Sequence, residues 1–574
     1  MAARSADPTL VELFTPKLVT VLRESYGWRD LKADIVAGLT VAIVALPLSM
    51  AIAIASGVTP DRGLYTAIVG GFFVSLLGGS RFQIGGPAGA FIVLVAATVA
   101  QHGVEGLIIA TMMSGVVMLA VGLLRLGTFV KYIPYPVTVG FTTGIAVIIF
   151  ASQIKDLLGL ALEREPGPLI PKVAALAAAL PSLTGAAPAV ALLTVLVIAA
   201  IRRYRPGWPA FLIAVAAASV LAWMVELPVE TIGTRFGGIP NYLPTPDLPP
   251  VTMEKVVAVL PNALSFALLG SIESLLSAVV ADSMTGRRHR SNCELVAQGV
   301  ANMASGLFGG FCVTGTIART ATNVRSGARG PVAGMMHAVF LLMFMLVAAP
   351  LASYIPLPAL AAVLAVVAWN MAEKHEFMTL LRASRGDAVV LLATFLLTIF
   401  RDLTEGILAG FALGALVFLH RMAQSVEIET HVPLIELDQA DRSVPGRTPY
   451  DAAVATNPEV VVFRISGAFF FGAAAEVAAV LDRIGAQPKV YVLDFSAVPV
   501  LDSTAAVTVE GFLRKAARQG AAVYIAGARP PVRRALLTHG VRPPRARFTP
   551  DVTKALLTIK GGSSSAPTVA SPAS

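Results

Sequence analysis

Cysteine is almost absent: two residues, Cys293 and Cys312, in a chain of 574. One isolated pair builds neither a disulfide framework nor a zinc site, and both read as small packing residues. Charge is scarce too, at 14% of residues against a hydrophobic share of 56%. That balance excludes an ordinary soluble globular protein, as does a mean hydropathy of +0.74. The seven histidines are scattered, with none spaced as a metal ligand or catalytic base. There is no Walker loop, dinucleotide fingerprint or nucleophile–base pair. An enzyme and an ATP-driven pump are therefore disfavoured, and no cofactor or metal is implied. The net charge of +9 raises nucleic acid as a partner. Its basic residues are spread between hydrophobic spans and not gathered with aromatics, which speaks against that.

What is abundant is long apolar runs, so the chain reads as a polytopic membrane protein lying in a lipid bilayer. A full crossing takes about 20 apolar residues. Spans are expected near 33–55, 63–78, 104–124, 136–158, 186–202, 209–225, 260–281, 292–308, 331–349, 356–371, 386–400 and 403–420. The stretches 86–100 and 314–328 are too short or too polar to cross alone and read as half-helices preceded by extended backbone. The total is about fourteen segments. Basic clusters at 202–205, 287–290 and 374–385 fall on one side of this count, with Arg23, Arg29, Lys32, Arg125 and Lys131. The positive-inside rule makes that side cytoplasmic and puts both termini there. Residues 1–30 show no cleavable signal peptide.

The domains expected are a cytoplasmic segment (1–30), a transport domain (31–424), a soluble α/β domain (425–560) and a disordered tail (561–574) rich in Gly, Ser, Ala and Pro. Strands at 459–465, 489–494 and 522–526, with a helix over 503–519, support the α/β assignment.

Two glycine-rich breaks stand out, at 78–90 and 309–320, about 230 residues apart. Each follows a span ending in Gly-Gly. A unit of about seven segments occurring twice would be inverted in its second copy. A helix broken at membrane depth leaves bare N–H groups and a positive dipole end, which an anion or watery cavity can satisfy. Gly86, Pro87 and Ala88 in the first break, with Thr314, Gly315, Thr316, Ala318 and Arg319 in the second, are the candidate substrate-binding residues. Pro87 suits a first helical position, and glycine permits close backbone approach. Arg319 sits one turn into the second half-helix, where an unpaired guanidinium costs at least ~2.5 kcal/mol. It must meet an anion, a carboxylate or water.

Glu273 lies mid-span within residues 263–276, on one helical face with Asn262 and Ser277. A carboxyl between apolar burial and a nearby guanidinium can take up and release a proton. Glu273 is thus the candidate coupling site, with a structural pair to Arg319 as the competing reading. In the soluble part, Asp502-Ser503-Thr504 follows a strand and opens a helix. Asp502 is a sufficient N-cap, and Ser503 is a candidate regulatory phosphorylation site.

The chain resembles the SulP anion transporters, which join a membrane domain to a cytoplasmic STAS domain. The resemblance covers nearly all of residues 25–560. It rests on Ala37-Gly38-Leu39-Thr40, Leu46-Pro47, Gly63-Leu64-Tyr65, Ile84-Gly85-Gly86-Pro87, Ser271-Ile272-Glu273-Ser274-Leu275 and residues 315–320. In the soluble part it rests on residues 493–496 and 501–504. It implies a seven-plus-seven inverted repeat divided into core and gate, a homodimer, and an anion held between the third and tenth segments. In sodium-coupled relatives an acidic residue at the place of Glu273, with a hydroxyl one turn on (here Ser277), helps hold Na⁺. Proton coupling is the leading expectation and sodium the alternative. Where the family often has glutamine after Leu-Pro, this chain has Leu48. The function expected is a secondary active anion transporter of a bacterial cytoplasmic membrane. Symport leads and exchange is the rival. The different-class alternative is a membrane-anchored scaffold whose STAS domain binds a cytosolic partner.

Overall fold

The computed structural model describes residues 9–162, 166–401, 403–424, 460–467, 469 and 488–562. The proposed domain boundary at 424/425, Asp402 and Glu459, and the tail from 563 onward lie outside or at the edge of that set. The chain divides into two compact units. The first holds Met1–Val130, Phe141–Glu373 and Thr394–Ile407; the second holds Lys131–Gly140, Lys374–Ala393 and Leu408–Ser574.

All fourteen segments expected from hydropathy are present. After short helices Leu10–Phe14 and Lys17–Arg23 come α1 (Trp28–Ala55) and α2, which runs through Pro60–Tyr65, a π turn at Thr66–Gly70 and Gly71–Leu77. A two-residue strand β1 (Gly85–Gly86) leads into α3 (Ile92–Leu123), then α4 (Tyr135–Leu158), α5 (Leu169–Ala178), α6 (Ala186–Tyr204) and α7 (Ala210–Met224). The second set is α8 (Met253–Thr285), α9 (Ser291–Leu307), β2 (Thr314–Gly315), α10 (Ile317–Arg325), α11 (Val332–Ala352), α12 (Leu357–Met371), α13 (Lys374–Ala383), α14 (Arg385–Phe400) and α15 (Leu403–Gln424). Seven helical stretches among the described residues are long and apolar enough to cross a membrane unaided. The chain is a multi-pass membrane protein.

The third and fourth segments are continuous in α3 except at Gly103, whose φ of 68° and ψ of −174° break the helix where the sequence expects the turn. Only glycine adopts that conformation readily. The π turn in α2 serves the second break: Thr66 Oγ1 accepts from Phe311 N at 2.9 Å, and Arg62 Nη1 donates to Gly309 O at 2.6 Å. Gly70 is needed there, because a Cβ would lie 2.8 Å from the Val313 side chain.

The amphipathic helices α5 and α13 have no counterpart in the hydropathy reading. They occupy equivalent places, between the fifth and sixth and between the twelfth and thirteenth segments, so they extend the repeat.

In the second unit, β3 (Val460–Ser466), β4 (Val490–Ala497), β5 (Ala522–Ala526) and β6 (Arg547–Thr549) form a parallel sheet in that order. The helices described with it are α16 (Ser503–Arg518), α17 (Pro530–Thr538) and α18 (Val552–Gly562). The buried valines, isoleucines and aromatics of β4 and β5 fit a parallel sheet covered on both faces. Tyr491 meets Phe512 edge to face at 5.0 Å.

Candidate anion site at the crossing of two broken segments

The two breaks pair with each other. Gly85 lies opposite Gly315 and Gly86 opposite Thr314 in an antiparallel ladder. Thr316 N donates to Ile84 O at 2.9 Å, and Ile84 N donates to Thr320 Oγ1 at 3.1 Å. Extended backbone at this depth is thereby satisfied by its own mate. The helix-start amides cannot be, because the first turn of a helix has no intrahelical acceptors. The first half-helix opens at Gly89 after the N-cap Ala88, and the second at Ile317 after the N-cap Thr316. Pro87 therefore precedes the cap and does not take the first helical position that the sequence suggested. Its ring is placed by the turn, with its carbonyl turned to Arg319.

Arg319 is 2% exposed and third in its helix. Its Nη2 donates to Ser49 Oγ at 3.0 Å and, at 3.5 Å, to Pro87 O. Nε and Nη1 have no hydrogen-bond partner among the described residues. The guanidinium lies against the backbone of Gly86, where an added Cβ would collide with Nη1. Ser49 escaped the sequence reading. It directly follows Leu48, and its Oγ donates to Ala45 O of its own helix while accepting from Arg319. The only signal was a hydroxyl two residues after Pro47 in the apolar second half of the helix.

α8 runs beside the second break. Thr314 Oγ1 donates to Gly270 O at 3.0 Å, and Ser277 Oγ donates to Thr320 Oγ1 at 3.0 Å. Glu273 sits between these contacts on the same helical stripe. It is half-buried and makes no ion pair with Arg319, and its Oε2 has no partner among the described residues. Asn262, placed on this face from sequence, instead donates to Thr98 Oγ1 of α3 at 2.9 Å. Ala318 is exposed at the mouth of the second half-helix. A Cβ at Gly315 would displace the Gln83 side chain, whose Nε2 occupies that place. Gln83, a second residue missed from sequence, donates to Ser274 Oγ at 2.7 Å.

Comparison with known proteins identifies the family. The model of the Sulfate permease family matches residues 31–394, and that of the STAS domain matches 451–545. The chain belongs to the sulfate permease family. It is a transporter of anions and not an enzyme. Among its relatives, the Putative sulfate transporter YvdB of Bacillus subtilis (strain 168) is 39% identical over 510 residues, covering 88% of this chain and 93% of that protein. The Bicarbonate transporter BicA of Picosynechococcus sp. is 32% identical over 532 residues, covering 89% and 91%. The solved transmembrane domain of a cyanobacterium bicarbonate transporter BicA aligns with a TM-score of 0.60 at 33% identity, covering 66% of this chain and 98% of that one. SLC26A9 aligns with a TM-score of 0.65 at 17% identity over 95% and 93%, a likeness of fold. The membrane domain is thus the expected inverted repeat with core and gate, followed by a STAS domain.

Ser503 lies in the second unit. It is buried, and its Oγ donates to Asp387 Oδ2 of α14 at 2.8 Å. Asp502 is the N-cap, accepting from Ala505 N at 2.8 Å.

Proposed function

We propose that the chain carries a small anion of the sulfate, bicarbonate or dicarboxylate class together with a proton, by alternating access of core and gate. Arg319 carries this reading. A buried guanidinium with two unpartnered nitrogens, set where two half-helix starts meet, is a field for negative charge. A nucleobase or other neutral permeant would leave that charge uncompensated. Gly86, Pro87, Ala88, Thr314, Gly315, Thr316 and Ala318 frame the place where the anion would sit. Relatives named for sulfate and bicarbonate support the substrate class.

Glu273 is the proposed coupling group. It faces the same break without a cation beside it, so a proton is the simplest partner for its charge. When an anion occupies the field of Arg319, a neutral Glu273 spares the site a second negative charge. Sodium, held by Glu273 and the hydroxyl of Ser277, is the second reading. Ser277 Oγ gives its proton to Thr320 Oγ1, which leaves its lone pairs free for a cation, so the imposed gradients decide between the two. We further propose a homodimer in a bacterial inner membrane with both termini cytoplasmic.

The test is uptake of labelled sulfate, bicarbonate and succinate into proteoliposomes under imposed proton and sodium gradients, with and without internal counter-anion. Uptake driven by an inward proton gradient supports the proposal. Indifference to that gradient ends proton coupling, and a strict need for internal anion makes the protein an exchanger. If no anion moves while residues 427–560 capture a cytosolic protein, the scaffold reading replaces transport.

A further inference from the structure

A cradle made of backbone N–H groups has no side chain of its own to fix it in place. Its position must be imposed by neighbours, and α9 presents four buried polar residues on one face: Glu294, Gln298, Asn302 and Ser305. Their spacing of four, four and three keeps them on a single helical stripe. Gln298 Nε2 donates to Glu294 Oε1 on the same helix at 3.1 Å, and the other three reach the two breaks. Glu294 Oε2 accepts from Ser80 N at 3.0 Å, near the start of the first. Ser305 Oγ donates to Phe311 O at 2.7 Å, near the start of the second.

Asn302 makes the tightest hold. Its Nδ2 donates to Val313 O at 2.8 Å, and its Oδ1 accepts from Val313 N at 3.0 Å. One amide thus satisfies both backbone groups of the residue immediately before β2. The same Nδ2 reaches Gln298 O at 2.9 Å, which ties the amide to its own helix. On the far side, Thr314 is anchored to Gly270 O. The chain entering the cradle is therefore clamped between α8 and α9 within two residues.

Resting on the reading of this crossing as the anion site, we propose that Asn302 is a positioning residue for transport. By holding Val313 it fixes where the amides of the second half-helix and Arg319 stand, and so sets anion affinity. It touches no substrate itself. No other common side chain of this size both donates and accepts in this way: an aspartate in its place would lose the donors, and a leucine would leave Val313 unpaired.

Cys312 supplies a native probe of the clamp, being adjacent to Val313 and buried. In a Cys293→Ala background it is the sole thiol. The experiment measures, in proteoliposomes, the rate at which N-ethylmaleimide labels Cys312 and the KM and maximal rate for labelled sulfate and bicarbonate. Asn302→Ala and Asn302→Asp are compared with Thr194→Ala, which removes a buried hydroxyl bonded within α6 to Val190 O. The expected result for both Asn302 variants is labelling and KM each raised about tenfold, the worth of one lost hydrogen-bonded position. Thr194→Ala lowers the melting temperature without moving either. Unchanged labelling overturns the proposal, and so does raised labelling with unchanged KM. If the unaltered protein takes up neither anion, the transport reading and the affinity claim fall together, and the labelling arm alone decides whether Asn302 places the break.

Discussion

Arg319 and Gly86 depend on each other: the glycine makes room for the guanidinium, and the guanidinium answers the bare backbone around it. Replacing Arg319 by Gln should lower anion uptake at least about tenfold, the scale of losing one partner in a charged contact. Lysine should not rescue, because a single ammonium in the place of Nη2 against Ser49 Oγ and Pro87 O leaves nothing where Nε and Nη1 stand to meet an anion. Uptake by a panel of point variants checks both. Gly86→Ala should be nearly as damaging, whereas Gly89→Ala should be mild. The nearest atom to a Cβ at 89 is the terminal methyl of Ile149, at 3.2 Å. Equal losses at the two glycines would refute the steric account. Arg319 was legible in the sequence because a charge in an apolar run must be answered. Ser49, Gln83 and Asn302 were not, since a hydroxyl or amide in a helix is ordinary until its partner is known.

Among elements, the spans were legible from apolar run length and the breaks from glycine. The amphipathic α5 and α13 were not, being too short or too polar for a hydropathy window. Pro87 was misplaced because proline before a helix and proline at its first position share one sequence signal. The fastening between elements was hidden as well. Asp34 on α1 is buried and accepts from Tyr26 Oη at 2.7 Å, Arg329 N at 2.5 Å and Gly330 N at 3.1 Å. It joins α1 to the turn between α10 and α11. Asp34→Ala should therefore destabilise the folded protein by about 2–4 kcal/mol, since hydrogen bonds to charged groups are worth about 1.5–3 each. Thermal melting in detergent reads the effect. A melting point like that of the unaltered protein would show that the turn holds without Asp34.

For the molecule as a whole, the sign of the pH response follows from the coupling proposal. Binding that takes up a proton is favoured by acid on the loading side, so uptake should rise as external pH falls. Glu273→Gln, fixed in the neutral form, should abolish that dependence while keeping exchange. A retained pH response would assign coupling elsewhere. In the second unit, Ser503→Glu would set a carboxylate against that of Asp387. Hydrogen exchange across α16 should rise through like-charge repulsion, as it would on phosphorylation. Unchanged protection would separate Ser503 from any such control. The sequence by itself determined the membrane class, the fourteen segments, the two breaks and the appended α/β domain, because hydropathy, glycine and strand patterning are local properties. Only the tertiary structure decided that the breaks pair with each other, that Arg319 lies over Gly86 rather than against Glu273, and that α9 holds both breaks. The pairing, the place of Arg319 and the hold of α9 on the first break depend on contacts between residues more than 200 positions apart; its hold on the second spans 11 positions or fewer but runs through side chains past the helix end, and no periodicity encodes it.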